Sequence, residues 1–155
     1  NVFNSHVEFF SKMKKGTLYG LTPLVNETAC GPDFYEEAKK SGHYIELDPA
    51  MSMEEAKEYA NKMDVLYTDT WVDMEFFNNP AYQKQKEETL AKMMPYQLNG
   101  DFTKDSKAIV FHDMPMHVGF EISQDVVDKN LAHILDEAEN RRHAEKAVMY
   151  TLLNS

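Results

Sequence analysis

Val65-Leu66-Tyr67-Thr68-Asp69-Thr70-Trp71-Val72-Asp73-Met74 opens on a short apolar run and turns polar at Asp69. The pattern returns in Ala108-Ile109-Val110-Phe111, which is followed at once by His112-Asp113-Met114-Pro115. Short apolar runs bounded by polar residues read as strands buried on both faces, the habit of parallel sheets. Both polar tails then emerge at the carboxyl edge of one sheet, where open α/β folds place their ligands. A third polar segment, Glu139-Asn140-Arg141, reads as the opening of the last helix, so the three together point to a small-molecule site.

Outward from this pair, helical and strand patterns alternate. Phe3, Val7, Phe10 and Met13 recur at helical spacing before Gly16, which predicts a helix over 2–15. A strand is expected over Thr17 to Thr22, then a long loop from Pro23 to the Gly31-Pro32 pair, then a helix from Pro32 to about Gly42. Tyr44 to Leu47 reads as a strand, and Ser52-Met53-Glu54-Glu55 is a capping box ahead of an amphipathic helix. After the Val65 strand come a polar helix over Ala81 to Met93 and the Ala108 strand. Asp125 to Asp128 reads as at most a short helix, Ala132 to Leu135 as a fifth strand, and Ala138 to Leu153 as a closing helix. Ala144, Ala147, Val148, Thr151 and Leu152 form one face of that closing helix.

The alternation predicts an α/β fold, a three-layer, Rossmann-like, mostly parallel sheet with helices on both faces. One domain over 1–155 is expected, since the chain has 155 residues, 43% of them hydrophobic and 27% charged. A right-handed βαβ unit requires a strand before the first helix, and the first residue is Asn1 rather than Met. An upstream segment is therefore expected.

Composition excludes some functions. With 16 basic and 26 acidic residues the formal charge is −10, a poor match to nucleic acid or to an anionic membrane surface. A cationic ligand or amine substrate suits it. A lone cysteine, Cys30, has no internal disulfide partner, and the expected setting is reducing and cytoplasmic. The sequence carries no Gly-rich phosphate loop and no G-x-S-x-G elbow, and no cofactor is expected.

Asp69, Asp73 and Asp113 are candidates to hold an ammonium group by charge-assisted hydrogen bonds. The alternative is that Asp69 caps a turn, Asp73 starts the next helical region and Trp71 only packs. His112 at a strand end reads either as a general acid or base or as a hydrogen-bonded edge residue. His112, Asp113 and His117 can also be drawn as a metal cluster, but Pro115 interrupts the spacing, and no metal is expected.

These residues carry a family resemblance. The Val65 to Met74 stretch resembles the ornithine carbamoyltransferase segment ending D-x-W-x-S-M-G, His112-Asp113-Met114-Pro115 its H-C-L-P, and Glu137-Ala138-Glu139-Asn140-Arg141 its x-A-E-N-R. Asn1 with Asn4-Ser5 resembles the end of a G-D-x-N-N turn, Leu21-Thr22-Pro23 an A-T-P strand end, and Pro95 to Asn99 a Y-Q-V-N stretch. The chain is identified as the second, amino-acid-binding domain of the aspartate/ornithine carbamoyltransferase family, of the ornithine type.

The resemblance implies transfer of the carbamoyl group of carbamoyl phosphate to an amine, in a trimer with sites between domains. It implies that Asn1, Asp69, Asp73 and Met74 hold the amine. It also implies that His112, Asp113, Met114 and Arg141 line the carbamoyl phosphate side. The family's phosphate motif, S-x-R-T-R, is absent here and belongs to an upstream domain. Three departures each add negative charge. Asp73 replaces a serine, Glu75 a glycine, and Asp113 the cysteine commonly drawn as the proton acceptor. Putrescine carbamoyltransferases, which Met116 to Ser123 also resembles loosely, likewise depart from S-M-G. A diamine or unusual amino acid is the expected acceptor, and the competing expectation is a non-catalytic amine-binding or regulatory module.

Overall fold

The computed structural model describes residues 2–22 and 32–155, and the backbone divides into two compact units, Asn1–Ser52 and Met53–Ser155. In the first unit, helix α1 spans Val2–Lys12, strand β1 Leu18–Gly20, helix α2 Pro32–Lys40 and strand β2 Tyr44–Glu46. The strands pair in parallel, Leu18 opposite Tyr44 and Gly20 opposite Glu46. Val7, Ala38 and Tyr44 form the core with Phe3, Leu18, Phe34 and Tyr35 around them. Gly20 is required by close approach, because a Cβ there would stand 2.9 Å from the Phe3 ring and 3.0 Å from that of Tyr44. The helix expected over 2–15 ends at Lys12, and Gly16, four residues further on, has a φ of 87°, a conformation open to glycine at little cost. The predicted loop from Pro23 to Gly31 lies outside the described residues.

The second unit contains helix α3 (Met53–Ala60), strand β3 (Val65–Tyr67), the short helix α4 (Met74–Phe77), helix α5 (Gln83–Met93), strand β4 (Ile109–Phe111) and helix α6 (Gln124–Leu153). A 3-10 turn, Pro80–Tyr82, takes the place of the first residues expected in the polar helix. β3 and β4 are parallel neighbours, with Val65 opposite Ile109 and Tyr67 opposite Phe111. Leu98, Val110, Ile122, Val126, Val127 and Ile134 make the core. Asn130 of α6 satisfies β4, its Oδ1 accepting from the Val110 amide at 3.0 Å while its Nδ2 donates to the Val126 carbonyl at 2.9 Å. A half-buried side-chain amide thus supplies the pairing that a further strand would have given β4 at that residue.

The architecture is α/β with parallel strands, as expected, but its sheets are small. Among the described residues there are two of two strands each, one per unit. The predicted short helix, fifth strand and closing helix of the last thirty residues are instead one helix, α6. Two physical reasons account for it. No Gly or Pro interrupts 124–153, and the buried Val126 and Ile134, with the half-buried Asn130 between them, recur every four residues, while Ala132 and Leu135 are exposed. A strand would have buried Ala132 with Ile134. Glu139-Asn140-Arg141 accordingly lies inside α6 rather than at its start. The small-residue face expected over Ala144 to Leu152 is exposed, and no described helix is long and apolar enough to cross a membrane.

Candidate functional site

Because β3 and β4 run side by side in the same direction, the chain after Tyr67 and the chain after Phe111 leave the sheet together. Two contacts set the spacing between these loops. The Thr68 amide donates to the Phe111 carbonyl at 3.3 Å, and Thr70 Oγ1 donates to the Pro115 carbonyl at 2.7 Å. Asp69 and Asp113 meet here as a carboxyl pair that shares a hydrogen bond. Burial, then the Asp113 charge and that hydrogen bond, push the Asp69 carboxyl up to about 6, against the opposing pull of the Thr70 amide. The Thr70 amide reaches Asp69 Oδ1 at 2.6 Å. Asp113 Oδ1 is a buried atom with no hydrogen-bond partner.

His112 sits beneath them, 0% exposed. Its Nδ1 accepts from the Met114 amide at 3.0 Å, and its Nε2 lies 3.2 Å from Glu121 Oε1. A ring nitrogen that accepts from an amide carries no proton, so the ring proton lies on Nε2 and is donated to Glu121. The His112 amide in turn donates to Glu137 Oε2 at 2.9 Å. Glu137 comes from α6 and also accepts from the Tyr67 hydroxyl. Burial raises the Glu137 carboxyl while those two donors oppose the rise. Burial likewise pushes the Tyr67 phenol far up, keeping it a donor. Met114 adopts a φ of 49°, in the left-handed region that non-glycine residues rarely occupy, and precedes a cis bond to Pro115.

Glu121, also 0% exposed, accepts from His112 and from the His117 amide through the same oxygen. The His117 ring stacks on Phe77 with centroids 3.7 Å apart. Lys86 donates to the Phe77 carbonyl at 2.8 Å and lies 4.7 Å from the center of its ring.

The sequence-predicted residues divide on this geometry. His112, Asp113, Met114 and Asp69 are brought together. Asp73 stands at the N-cap position of α4, exposed, with no side-chain cap bond, and Met74 beside it is half exposed. Arg141 lies one turn beyond Glu137 on α6, so it follows the residue that touches the site, but its side chain is 84% exposed and bonds Glu145 at 3.0 Å. Asn1 lies outside the described residues. Glu121, Glu137 and Tyr67 were not singled out from the sequence. The available signal for Glu121 is an acid set between the apolar Phe120 and Ile122, which an exposed turn does not require.

The family model described as aspartate/ornithine carbamoyltransferase, Asp/Orn binding domain, matches residues 1–152. The chain belongs to this family. An ornithine carbamoyltransferase of Chlorobaculum tepidum is 34% identical over 159 aligned residues, covering 99% of this chain and 42% of that protein. The solved ornithine carbamoyltransferase of Pyrococcus furiosus superposes with a TM-score of 0.73 at 29% identity, over 96% of this chain and 45% of that one. The anabolic enzyme of Campylobacter jejuni shares the fold at a TM-score of 0.77 and 23% identity, over 98% and 48%. The chain thus spans less than half the length of these carbamoyltransferases.

Proposed function

We propose that this chain is the acceptor-binding part of a carbamoyltransferase. The observation that carries the reading is the Asp69–Asp113 carboxyl pair at the ends of two adjacent parallel strands, in a chain of this family. Two carboxyls forced together, one of them raised to about 6, are relieved by a cation placed between them. An ammonium group of the acceptor supplies it. Asn1, Asp69, Asp73 and Met74 bind the acceptor, and Met114 lines the carbamoyl phosphate side.

In the reaction, the free amine nitrogen of the acceptor attacks the carbamoyl carbon. The new C–N bond forms, the C–O bond to phosphate breaks, phosphate leaves, and Asp113 takes the proton lost from nitrogen. Arg141 turns from Glu145 to the developing oxyanion, for which its planar fork is suited. Much of the rate then comes from holding two ligands in register. Carbamoyl phosphate is bound chiefly by the remainder of a longer protein, which assembles as a cytoplasmic homotrimer. Asp73 and Asp113 select against the α-carboxylate of ornithine and for a diamine or an unusual amino acid.

The test is carbamoyl transfer by the longest reading frame containing this chain, offered carbamoyl phosphate with ornithine, acetylornithine, putrescine, agmatine or aspartate. Turnover fastest with a diamine is expected. Binding of an amine without turnover of any would replace the enzyme with a non-catalytic amine-binding module.

A further inference from the structure

His112 was a candidate acid or base, and its surroundings give it another task. Both ring nitrogens are engaged inside the protein, and three groups from three segments address the residue. Glu121 faces Nε2 at 3.2 Å, the Met114 amide faces Nδ1 at 3.0 Å, and Glu137 takes the backbone amide at 2.9 Å. Asp113 Oδ1 approaches Nδ1 only to 3.8 Å. A carboxylate offers no hydrogen to Nε2, so a proton on Nδ1 would leave an N–H against the Met114 N–H and a lone pair against Glu121. Only one tautomer fits. Glu121 is itself tied to a neighboring segment through its carbonyl, which accepts from the Leu98 amide at 3.0 Å.

We propose that Glu121 and His112 act as a positioning couple: Glu121 keeps the ring proton on Nε2, which frees Nδ1 to grip the Met114 amide and fix the Asp113–Met114 turn opposite Asp69. His112 then transfers no proton. It determines where the Asp113 carboxyl and the Met114 backbone stand, as the outer partner of a metal-bound histidine determines its tautomer and orientation.

The inference rests on the carbamoyltransferase reading for its kinetic arm alone. Two substitutions separate the ring's two bonds. H112N places Oδ1 where Nδ1 was, keeping the acceptor for Met114 and losing the donor to Glu121. H112Q keeps a donor for Glu121 and loses the acceptor. On the protein from the longest reading frame, H112N is expected to hold kcat within about tenfold of wild type, while H112Q loses about a hundredfold, the scale of a misplaced reacting group. H112Q is nevertheless expected to melt at the higher temperature of the two, so activity and stability rank the variants in opposite orders. E121Q, which retains an acceptor oxygen, should rescue most of what E121L loses.

A 15N-histidine NMR spectrum of the wild-type protein, with the His112 signals assigned from their loss in H112N, reads the tautomer without any turnover. A single Nε2–H form supports the couple, and an Nδ1–H form or a mixture overturns it. Folded H112N and H112Q with equally abolished kcat would also overturn it, in favor of acid–base chemistry. Absence of turnover with every acceptor would defeat the carbamoyltransferase reading while the spectrum still decides the couple.

Discussion

Four acids lie around His112 in two pairs that the chain treats differently. Glu121 and Glu137 each accept from two donors supplied by the protein, a histidine ring and an amide for one, an amide and a phenol for the other. Asp69 and Asp113 face each other and receive fewer donors, one backbone amide on Asp69 and none on Asp113 Oδ1. Glu121 Oε2 is likewise a buried oxygen without a partner, so the pairs differ in the donors they receive and in the carboxyl–carboxyl contact. Buried acids supplied with donors hold a fold together, because the donors replace the water that burial removed. Acids pressed together without enough donors store repulsion that a bound cation releases. The contrast separates scaffold from site within a few residues.

The largest effect that can break this comparison is on stability. Replacing Glu121 with Leu strands two buried N–H groups and is expected to lower the unfolding free energy by about 3 kcal/mol. D113N, which relieves repulsion, should move stability by less than about 1 kcal/mol, and upward. Urea unfolding of both variants checks it, and a larger loss in D113N than in E121L would reverse the assignment of the pairs.

A smaller effect is pH dependence. Asp69 is raised in the folded state from 3.8 to about 6, so between those values the folded chain holds a proton that the unfolded chain has released. The stabilization is fully present below about 3.8 and is lost as pH rises through about 6. On the proposed reading, ammonium binding runs the other way and strengthens as Asp69 ionizes. Carbon-13 NMR of the Asp69 carboxyl should show a midpoint near 6 that falls in D113N without reaching 3.8, because burial, the leading cause, remains. An unchanged midpoint in D113N would remove Asp113 from the pair.

Smaller again is the clasp between the two loops. T70V deletes the 2.7 Å hydrogen bond to the Pro115 carbonyl and is expected to cost about 1 kcal/mol, with faster hydrogen exchange at the Met114 amide. Exchange equal to wild type would mean that the loops hold their spacing without it.

How much of this was legible in the sequence follows from the range of the forces involved. β3 and β4 are legible because a strand drawn from a continuous apolar run is a local property, and Asp69 with His112-Asp113 follows from where those runs end. The burial expected on both faces is not found, since Val110 alone of the two strands is buried and Val65 is 41% exposed. The start of α3 after Ser52 is an equally local signal, whereas α1 stops at Lys12, before the Gly16 expected to end it. Ala132 to Leu135 was read as a strand because a four-residue apolar window does not distinguish strand from helix. The deciding facts were the spacing of Val126, Asn130 and Ile134 and the docking of Asn130 onto Val110. Glu121 and Glu137 were missed because an acid's burial depends on donors that arrive from distant segments, nine and twenty-five residues away from His112. Arg141, expected at a helix start, stands mid-helix with its side chain 84% exposed and bonded to Glu145, because the helix begins at Gln124 rather than near Ala138.

Asp73 tests whether the comparison extends beyond the sheet edge, and there the expected effect is smallest. It is exposed and makes no cap bond, so its influence on an acceptor is a through-solvent charge interaction, worth a few tenths to about 1 kcal/mol and weakened by salt. D73S, which restores the residue type of the resembled motif, should raise the affinity for ornithine about threefold at low ionic strength and lower that for putrescine by a similar factor. Both changes should fade in about 0.5 M salt, where charges more than a few ångströms apart are screened. Calorimetric titration of the full-length protein at two salt concentrations measures them. Ornithine affinity that ignores the substitution at low salt would leave the choice of acceptor to Asp69 and Asp113 alone, and would confine the site to the ends of the two strands.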